Sequence, residues 1–307
     1  MTESVASIQA RVGEVVHRVR QVYSQWRRDT SVEQMRRDWD ELFWNDSQPC
    51  DYEDTTLGGV AVRWIDAPGA NRDRVCVYFH GGGYKMGSVV SHHELMVRIS
   101  AAANCRVLGV NYRLTPEHCF PAPLEDGLAV YRTLLEHGFD AAEVALVGDS
   151  AGGGLAASLL LAIRSEHLPL PCATVLLSAW LDMSLSGDSY ESRSQSDPIH
   201  QKSMLQAIAQ QYLGEGVDPR QASASPLFGK LHRLPPILLQ VGECEVGLDD
   251  SRAFADKLRE SGGQVQLSVW DHMIHVFQQF GNDLPEARQA IAEIGEFLQT
   301  HWGRGPA

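Results

Sequence analysis

The chain has 307 residues, 44% of them hydrophobic and 21% charged, enough for one large α/β domain with a covering segment. Its 26 basic and 39 acidic residues leave a net charge of −13, which disfavours nucleic acid and anionic membrane surfaces as partners. No run reaches the ~18 apolar residues of a membrane span, the first residues do not read as a signal peptide, and six scattered cysteines without a Cys-x-x-Cys spacing point to a reducing compartment. A cytoplasmic protein with no stable membrane anchor is the expectation.

Residues 5–45 read as two helices. Val12, Val15, Val16, Val19, Val22, Tyr23 and Trp26 recur every three or four positions, and after Asp29-Thr-Ser a second run carries Met35, Trp39, Leu42 and Phe43. Such a stripe ordinarily packs on a core; in the functional reading some of Trp26, Met35, Trp39, Phe43 and Trp44 face an active-site mouth. Strands then alternate with helices. The expected strands are Val60–Ile65, Val75–Phe79, Arg106–Asn111, Val144–Val147, Thr174–Ser178, Ile237–Val241 and Val265–Trp270, with helices near 90–103, 122–137, 151–165, 249–260 and 284–300. This alternation predicts a mostly parallel, doubly wound α/β sheet. One stretch, 183–225, breaks it with a polar loop and a helix at about Ser203–Tyr212, and reads as an insertion above the sheet.

Four segments carry chemistry, taken in chain order. His80-Gly-Gly-Gly-Tyr84 follows a strand; three glycines leave backbone N–H groups bare and suit a donor site for an oxyanion. Gly148-Asp-Ser-Ala-Gly152 sits between a strand-like and a helix-like run, the setting that pushes a serine hydroxyl out of the backbone beside helix N–H groups. A phosphate loop is disfavoured, because Leu155 and Ala156 stand where Lys and Ser/Thr would be needed. A dinucleotide fingerprint fails because Ser150 occupies its middle glycine. Ile237–Asp250 is a buried-strand pattern that ends in a loop rich in carboxylates, and His275 follows the last strand. The order Ser, acid, His is the chain order of α/β-hydrolase triads, with Ser150 as nucleophile and His275 as base.

These residues resemble the hormone-sensitive-lipase-like family of α/β-hydrolases, the bacterial family IV esterases. The resemblance rests on His80–Tyr84, on Gly148–Gly153, on Asn111-Tyr-Arg-Leu-Thr-Pro-Glu-His-Cys-Phe-Pro-Ala122 and on Ser178-Ala-Trp-Leu-Asp182, and runs from about residue 60 to 300. It implies an α/β-hydrolase fold with a helical lid: lid at 1–48 and 183–225, core at 49–182 and 226–307. It implies Ser150 as nucleophile, His275 as general base, and the backbone N–H groups of Gly82, Gly83 and Ala151 as the oxyanion hole. The family's Asp-Pro-Leu falls on Glu245-Val-Gly247, so the orienting acid becomes Glu245, with Asp249 as runner-up; the missing Pro and Leu are a departure. His272 is read as a loop residue and not as half of a metal pair, His80 as an anchor of its own loop, and Asp149 as a group fixing the elbow.

The implied activity is hydrolysis of short-chain carboxylic esters, a small-molecule substrate, by way of an acyl-enzyme, with no cofactor and no metal. Amide or formamide hydrolysis by the same triad is the alternative, and a non-catalytic receptor of the same fold is disfavoured by the presence of His275. A homodimer is compatible with the sequence.

Overall fold

The computed structural model describes residues 4–304. Helix α1 (Val5–Gln25) begins at Ser4 and α2 (Val32–Phe43) at Ser31; each serine hydroxyl accepts an amide N–H three residues on, from Ser7 and Gln34. These caps satisfy donors that a helix start leaves open. The valine stripe of α1 packs on the C-terminal part of the chain: Val12, Val15, Val16 and Val19 meet Met273, Ile274, Phe277, Phe280 and Leu284. Val15 and Val19 are 0% and 1% exposed, and each such burial stabilises by about 1.5–3 kcal/mol.

The first two strands form a hairpin, β1 (Asp51–Leu57) antiparallel to β2 (Val60–Asp66), around Gly58 and Gly59, both at positive φ. The sequence pattern does not mark β1. Six of its seven residues are exposed, so no apolar alternation exists to be read; backbone pairing alone makes the strand. Then follow β3 (Val75–Phe79), α3 (His93–Ala103), β4 (Arg106–Val110), α4 (Ala122–Glu136), β5 (Val144–Asp149), α5 (Ser150–Ser165) and β6 (Ala173–Leu177). The interrupting stretch holds a one-turn helix, α6 (Ser189–Ser192), and α7 (Lys202–Leu213); β7 (Ile237–Gly242), α8 (Leu248–Glu260), β8 (Val265–Trp270) and α9 (Pro285–His301) complete the described chain.

One sheet results, in the order β1-β2-β4-β3-β5-β6-β7-β8. From β4 to β8 every pair is parallel, while β1 and β2 form an antiparallel edge. Strands β3, β5, β6 and β7 are buried at every position, as a parallel sheet covered on both faces requires. The chain steps outward from β3 to β4 and then returns past β3 to β5. Such a reversal opens a crevice at the carboxyl ends of the strands. The four chemical segments leave the sheet at those ends: His80–Tyr84 after β3, Ser150 after β5, Glu245 after β7 and His275 after β8.

Candidate active site

Strand β5 delivers the chain to Ser150, the first residue of α5, at φ +52. A left-handed backbone is strained for a residue with a β-carbon, and the surroundings enforce it. A Cβ on Gly148 would collide with the Gly152 carbonyl, and one on Gly152 with the carbonyls of Phe79 and His80. The Trp180 N–H donates to the Ser150 carbonyl at 2.9 Å. The serine side chain is thereby turned into a cleft instead of along the helix.

Three side chains from three carboxyl-end loops meet there. His275 Nε2 lies 2.8 Å from Ser150 Oγ, and His275 Nδ1 lies 2.7 Å from Glu245 Oε2. Glu245 is 1% exposed. Its other oxygen accepts the Gly242 N–H and the Ser178 hydroxyl, each at 2.6 Å, while Ser178 Oγ accepts the Val276 N–H at 3.0 Å. Ser178 thus ties the acid to the histidine loop. Burial works against a charged His275, but the Glu245 carboxylate outweighs it, with help from Asp197 and Asp149, and raises the imidazole pKa above its ordinary value.

Asp249 takes another role. Its carboxylate accepts the Ser189 N–H at 2.8 Å and faces Arg252 at 3.5 Å, so it fastens the start of α8 to the inserted stretch, while Glu245 is the carboxylate at His275. His272 occupies a left-handed turn position, with its N–H on the Glu243 carboxylate at 3.3 Å.

On the other side of Ser150 lies the glycine loop. Gly82 and Gly83 have φ +111 and +64, line the cleft beside Ser150, and among the described residues donate neither N–H to a protein acceptor. Ala151 is the second residue of α5, where an amide has no partner within the helix. Asp149, 2% exposed, pins this loop to the elbow: Oδ1 accepts the Gly81 N–H at 2.9 Å and the Tyr78 hydroxyl at 2.7 Å, and Oδ2 is 3.4 Å from His92 Nε2. Burial alone would raise the Asp149 pKa; His92, Tyr78 and His80 more than reverse that and lower it. His80 is buried, stacks on Tyr112 at 4.3 Å, and receives the Tyr112 hydroxyl on its carbonyl at 2.6 Å. Burial and the neighbouring His92 push its pKa down to about 3, so it stays neutral in its loop.

The cleft offers about 680 Å³ of empty space, part of it open to solvent, and is largely apolar. Trp39 and Phe43 of α2 line it, joined by Val19 and Tyr23 of α1, whereas Trp26, Met35 and Trp44 do not; Trp44 is 41% exposed and packs on His93. From the inserted stretch come Ile199, His200, Met204, Leu205 and Ile208. A second hollow of about 310 Å³ meets the first at Ser150, with Ser178, Tyr190, His200 and Val246 in its wall.

Sequence reasoning missed Ser178, His92, Asp197 and His200 as members of this site. His200 stands edge-to-face with His275, ring centres 4.4 Å apart, and burial together with His275 pushes its pKa down to about 4. Asp197 accepts the His200 N–H at 2.8 Å and the Val246 N–H at 3.0 Å, joining the insertion to the residue after Glu245. The one available signal was Ser178, the first residue of the Ser178–Asp182 motif, directly after β6.

A family model described as alpha/beta hydrolase fold matches residues 76–279. The chain is similar to an acetyl-hydrolase of Streptomyces hygroscopicus, 41% identical over 250 residues that make up 81% of this chain and 83% of that protein. It is also similar to an esterase of Acinetobacter venetianus, 34% identical over 244 residues, 80% of each chain. Among solved structures it resembles an esterase from the bacterial hormone-sensitive lipase family, with 43% identity, a TM-score of 0.91 and coverage of 99% of this chain and 100% of that one. Motif order, sheet topology and these likenesses agree: the chain belongs to the hormone-sensitive-lipase family within the alpha/beta hydrolase fold.

Proposed function

We propose that this chain hydrolyses carboxylic esters of short acyl groups through an acyl-enzyme on Ser150. The observation that carries the reading is the unbroken relay from Glu245 through His275 to Ser150, with contacts of 2.7 and 2.8 Å. His275 takes the Ser150 proton as Oγ attacks the ester carbonyl. Glu245 holds the ring in the tautomer that leaves Nε2 free and stabilises the imidazolium that forms. The N–H groups of Gly82, Gly83 and Ala151 receive the negative charge of the tetrahedral intermediate; such a donor is worth roughly 10²–10³ in kcat. His275 then returns the proton to the leaving alcohol, and water repeats the sequence on the acyl-enzyme.

The two hollows that meet at Ser150 suit the two halves of an ester, and the larger one suits the acyl group. Helices α1 and α2 (within 1–48) and the insertion 183–225 act as the lid, while 49–182 and 226–307 form the core. Among the described residues no helix is long and apolar enough to cross a membrane. We read the location as cytoplasmic from the six free thiols, since an oxidising compartment favours disulfides.

The test pairs Ser150→Ala with a chain-length series of chromogenic esters. Turnover is expected to vanish in the variant with its circular dichroism unchanged. In the natural chain the rate is expected to peak at or below roughly eight acyl carbons, because a net charge of −13 does not favour an anionic lipid interface. Unchanged turnover by Ser150→Ala overturns the mechanism. A peak on long-chain emulsions overturns the substrate range alone.

A further inference from the structure

The oxyanion loop does not end at its glycines. Tyr84 follows Gly83 at φ +57, so three successive residues, 82 to 84, have left-handed or otherwise positive φ. Glycines adopt this freely; a tyrosine does so only when its surroundings insist. A run with so little preference of its own takes the shape that its contacts impose.

The imposing contacts come from α7, in the insertion. The Tyr84 ring, 1% exposed, lies flat on Tyr212 of α7, with ring centres 3.7 Å apart and planes 6° apart. One turn earlier, Ile208 rests on the backbone of Gly83: a Cβ there would stand 3.2 Å from Ile208 Cγ2. Tyr212 is itself fixed, since its carbonyl accepts the Phe120 N–H at 2.8 Å. The Tyr84 carbonyl is held by the Thr115 N–H and hydroxyl at 2.8 and 3.1 Å. The other covering helix reaches the same loop, for Arg36 of α2 donates to the Lys85 carbonyl at 2.9 Å.

We propose that Tyr212 is a positioning residue for the oxyanion hole, acting through Tyr84, so that α7 must be seated on the glycine loop before its donors are aligned. The helix that covers the substrate is then also the one that completes the charge-stabilising site, and an uncovered site is a poorly catalytic one. The proposal rests on Gly82 and Gly83 being oxyanion donors. Neither Tyr84 nor Tyr212 lines the cleft, so an effect on the chemical step must pass through the loop and not through substrate contact.

The experiment compares Tyr212→Ala, Tyr212→Phe and Tyr212→Leu with the natural chain on phenyl acetate, a small ester, at a residue that does not line the cleft. It also measures inhibition by a boronic acid that forms a tetrahedral adduct on Ser150. Tyr212→Ala is expected to lower kcat roughly 100-fold, the scale of one misplaced donor, with KM within threefold and boronate affinity falling in step with kcat/KM. Tyr212→Phe, which keeps the stack, is expected to stay within about fivefold of the natural kcat; a stacked aromatic pair survives loss of one hydroxyl. If Tyr212→Ala does not fold, Tyr212→Leu, which keeps an apolar side chain but no ring to stack on Tyr84, carries the test with the same readouts on a smaller scale. Unchanged kcat and boronate affinity in a folded variant, or a loss confined to KM for longer acyl chains, overturns the positioning role. Labelling of Ser150 by a serine-directed phosphonate separates this from failure of the hydrolase reading: a labelled natural chain with an unaffected variant sinks only the positioning role of Tyr212.

Discussion

Two acid–imidazole pairs flank Ser150, built from the same chemical parts and put to different ends. In one, Glu245 meets His275 at 2.7 Å; in the other, Asp149 meets His92 at 3.4 Å. Both carboxylates are almost wholly buried and accept further hydrogen bonds, Glu245 from Gly242 and Ser178, Asp149 from Gly81 and Tyr78. What separates the pairs is the far side of the imidazole. His275 turns Nε2 to Ser150 Oγ in the cleft, whereas His92, 1% exposed, turns Nδ1 to Ser91 Oγ at 3.0 Å and the Ser88 carbonyl at 3.3 Å. An acid–histidine pair becomes a proton relay only if one ring nitrogen reaches a reacting atom. With both nitrogens spent inside the protein, the same pair is a bracket, and here it braces the loop that carries Gly82 and Gly83.

The widest gap between the pairs should appear on removing each acid's charge. Glu245→Gln is expected to lower kcat by up to ~10⁴-fold, since the wrong tautomer is then favoured and the imidazolium loses its partner. Asp149→Asn keeps an oxygen for Gly81 and Tyr78 but unbalances the contact to His92. It is expected to lower kcat only by roughly 10–100-fold, less than or equal to the loss of a whole oxyanion donor. Single-turnover acylation with a chromogenic acetate measures both, and equal losses would erase the distinction between relay and bracket.

Much of this site is legible in the amino-acid sequence, for identifiable reasons. The parallel strands announce themselves as short apolar runs because the sheet is buried on both faces. The elbow and the glycine loop announce themselves because tight turns admit few residue types. The carboxylate loop after β7 is legible only as a set of candidates, and its four acids part ways in space. Glu243 receives the His272 N–H and faces Arg193 at 3.8 Å, Glu245 takes His275, and Asp249 takes Ser189. Asp250 is buried against the N–H groups of Leu181 and Asp182 and the Tyr190 hydroxyl, where burial and Asp182 push its pKa up to about 8. No local pattern encodes such a division, because the partners His272, His275, Ser189 and Leu181 lie 29 or more residues away in sequence. His92, Asp197, His200 and the Tyr84–Tyr212 stack escape for the same reason, and β1 escapes because an exposed edge strand has no apolar face to show.

The pH dependence sharpens the comparison further. In the proposed mechanism only neutral His275 serves as base, and its folded pKa is raised, so protonation persists above the ordinary ~6.5 of a histidine. The acid limb of kcat/KM is therefore expected above pH ~6.5. Glu245→Gln should move the limb of the residual activity downward more than Asp149→Asn does, since Glu245 contributes more to the raised value than Asp149. The linked stability runs the other way: the pair's contribution is complete below the unfolded pKa of ~6.5 and fades as pH rises through the folded value. A limb below 6 in the natural chain, or a larger shift from Asp149→Asn, would contradict the assignment of His275 and Glu245 as the relay; the reference is again the ordinary histidine.

The smallest effect is expected at Asp249, a third carboxylate near the site that belongs to neither pair. It sits in the first turn of α8, where a negative charge meets the positive end of the helix dipole, and its oxygen receives the Ser189 N–H at 2.8 Å. Asn keeps an acceptor for Ser189 but gives up the charge, so Asp249→Asn should lose about 1 kcal/mol of stability or less. Because Asp249 holds the insertion to α8 and takes no part in the relay, kcat should stay within about threefold of the natural value, a barrier change of under about 1 kcal/mol. Urea unfolding and steady-state kinetics on the same preparation read the two quantities side by side. An inactive Asp249→Asn beside a nearly normal Glu245→Gln would move the orienting acid four residues along the chain, and would make the contact of Glu245 to His275 a bracket like that of Asp149 to His92.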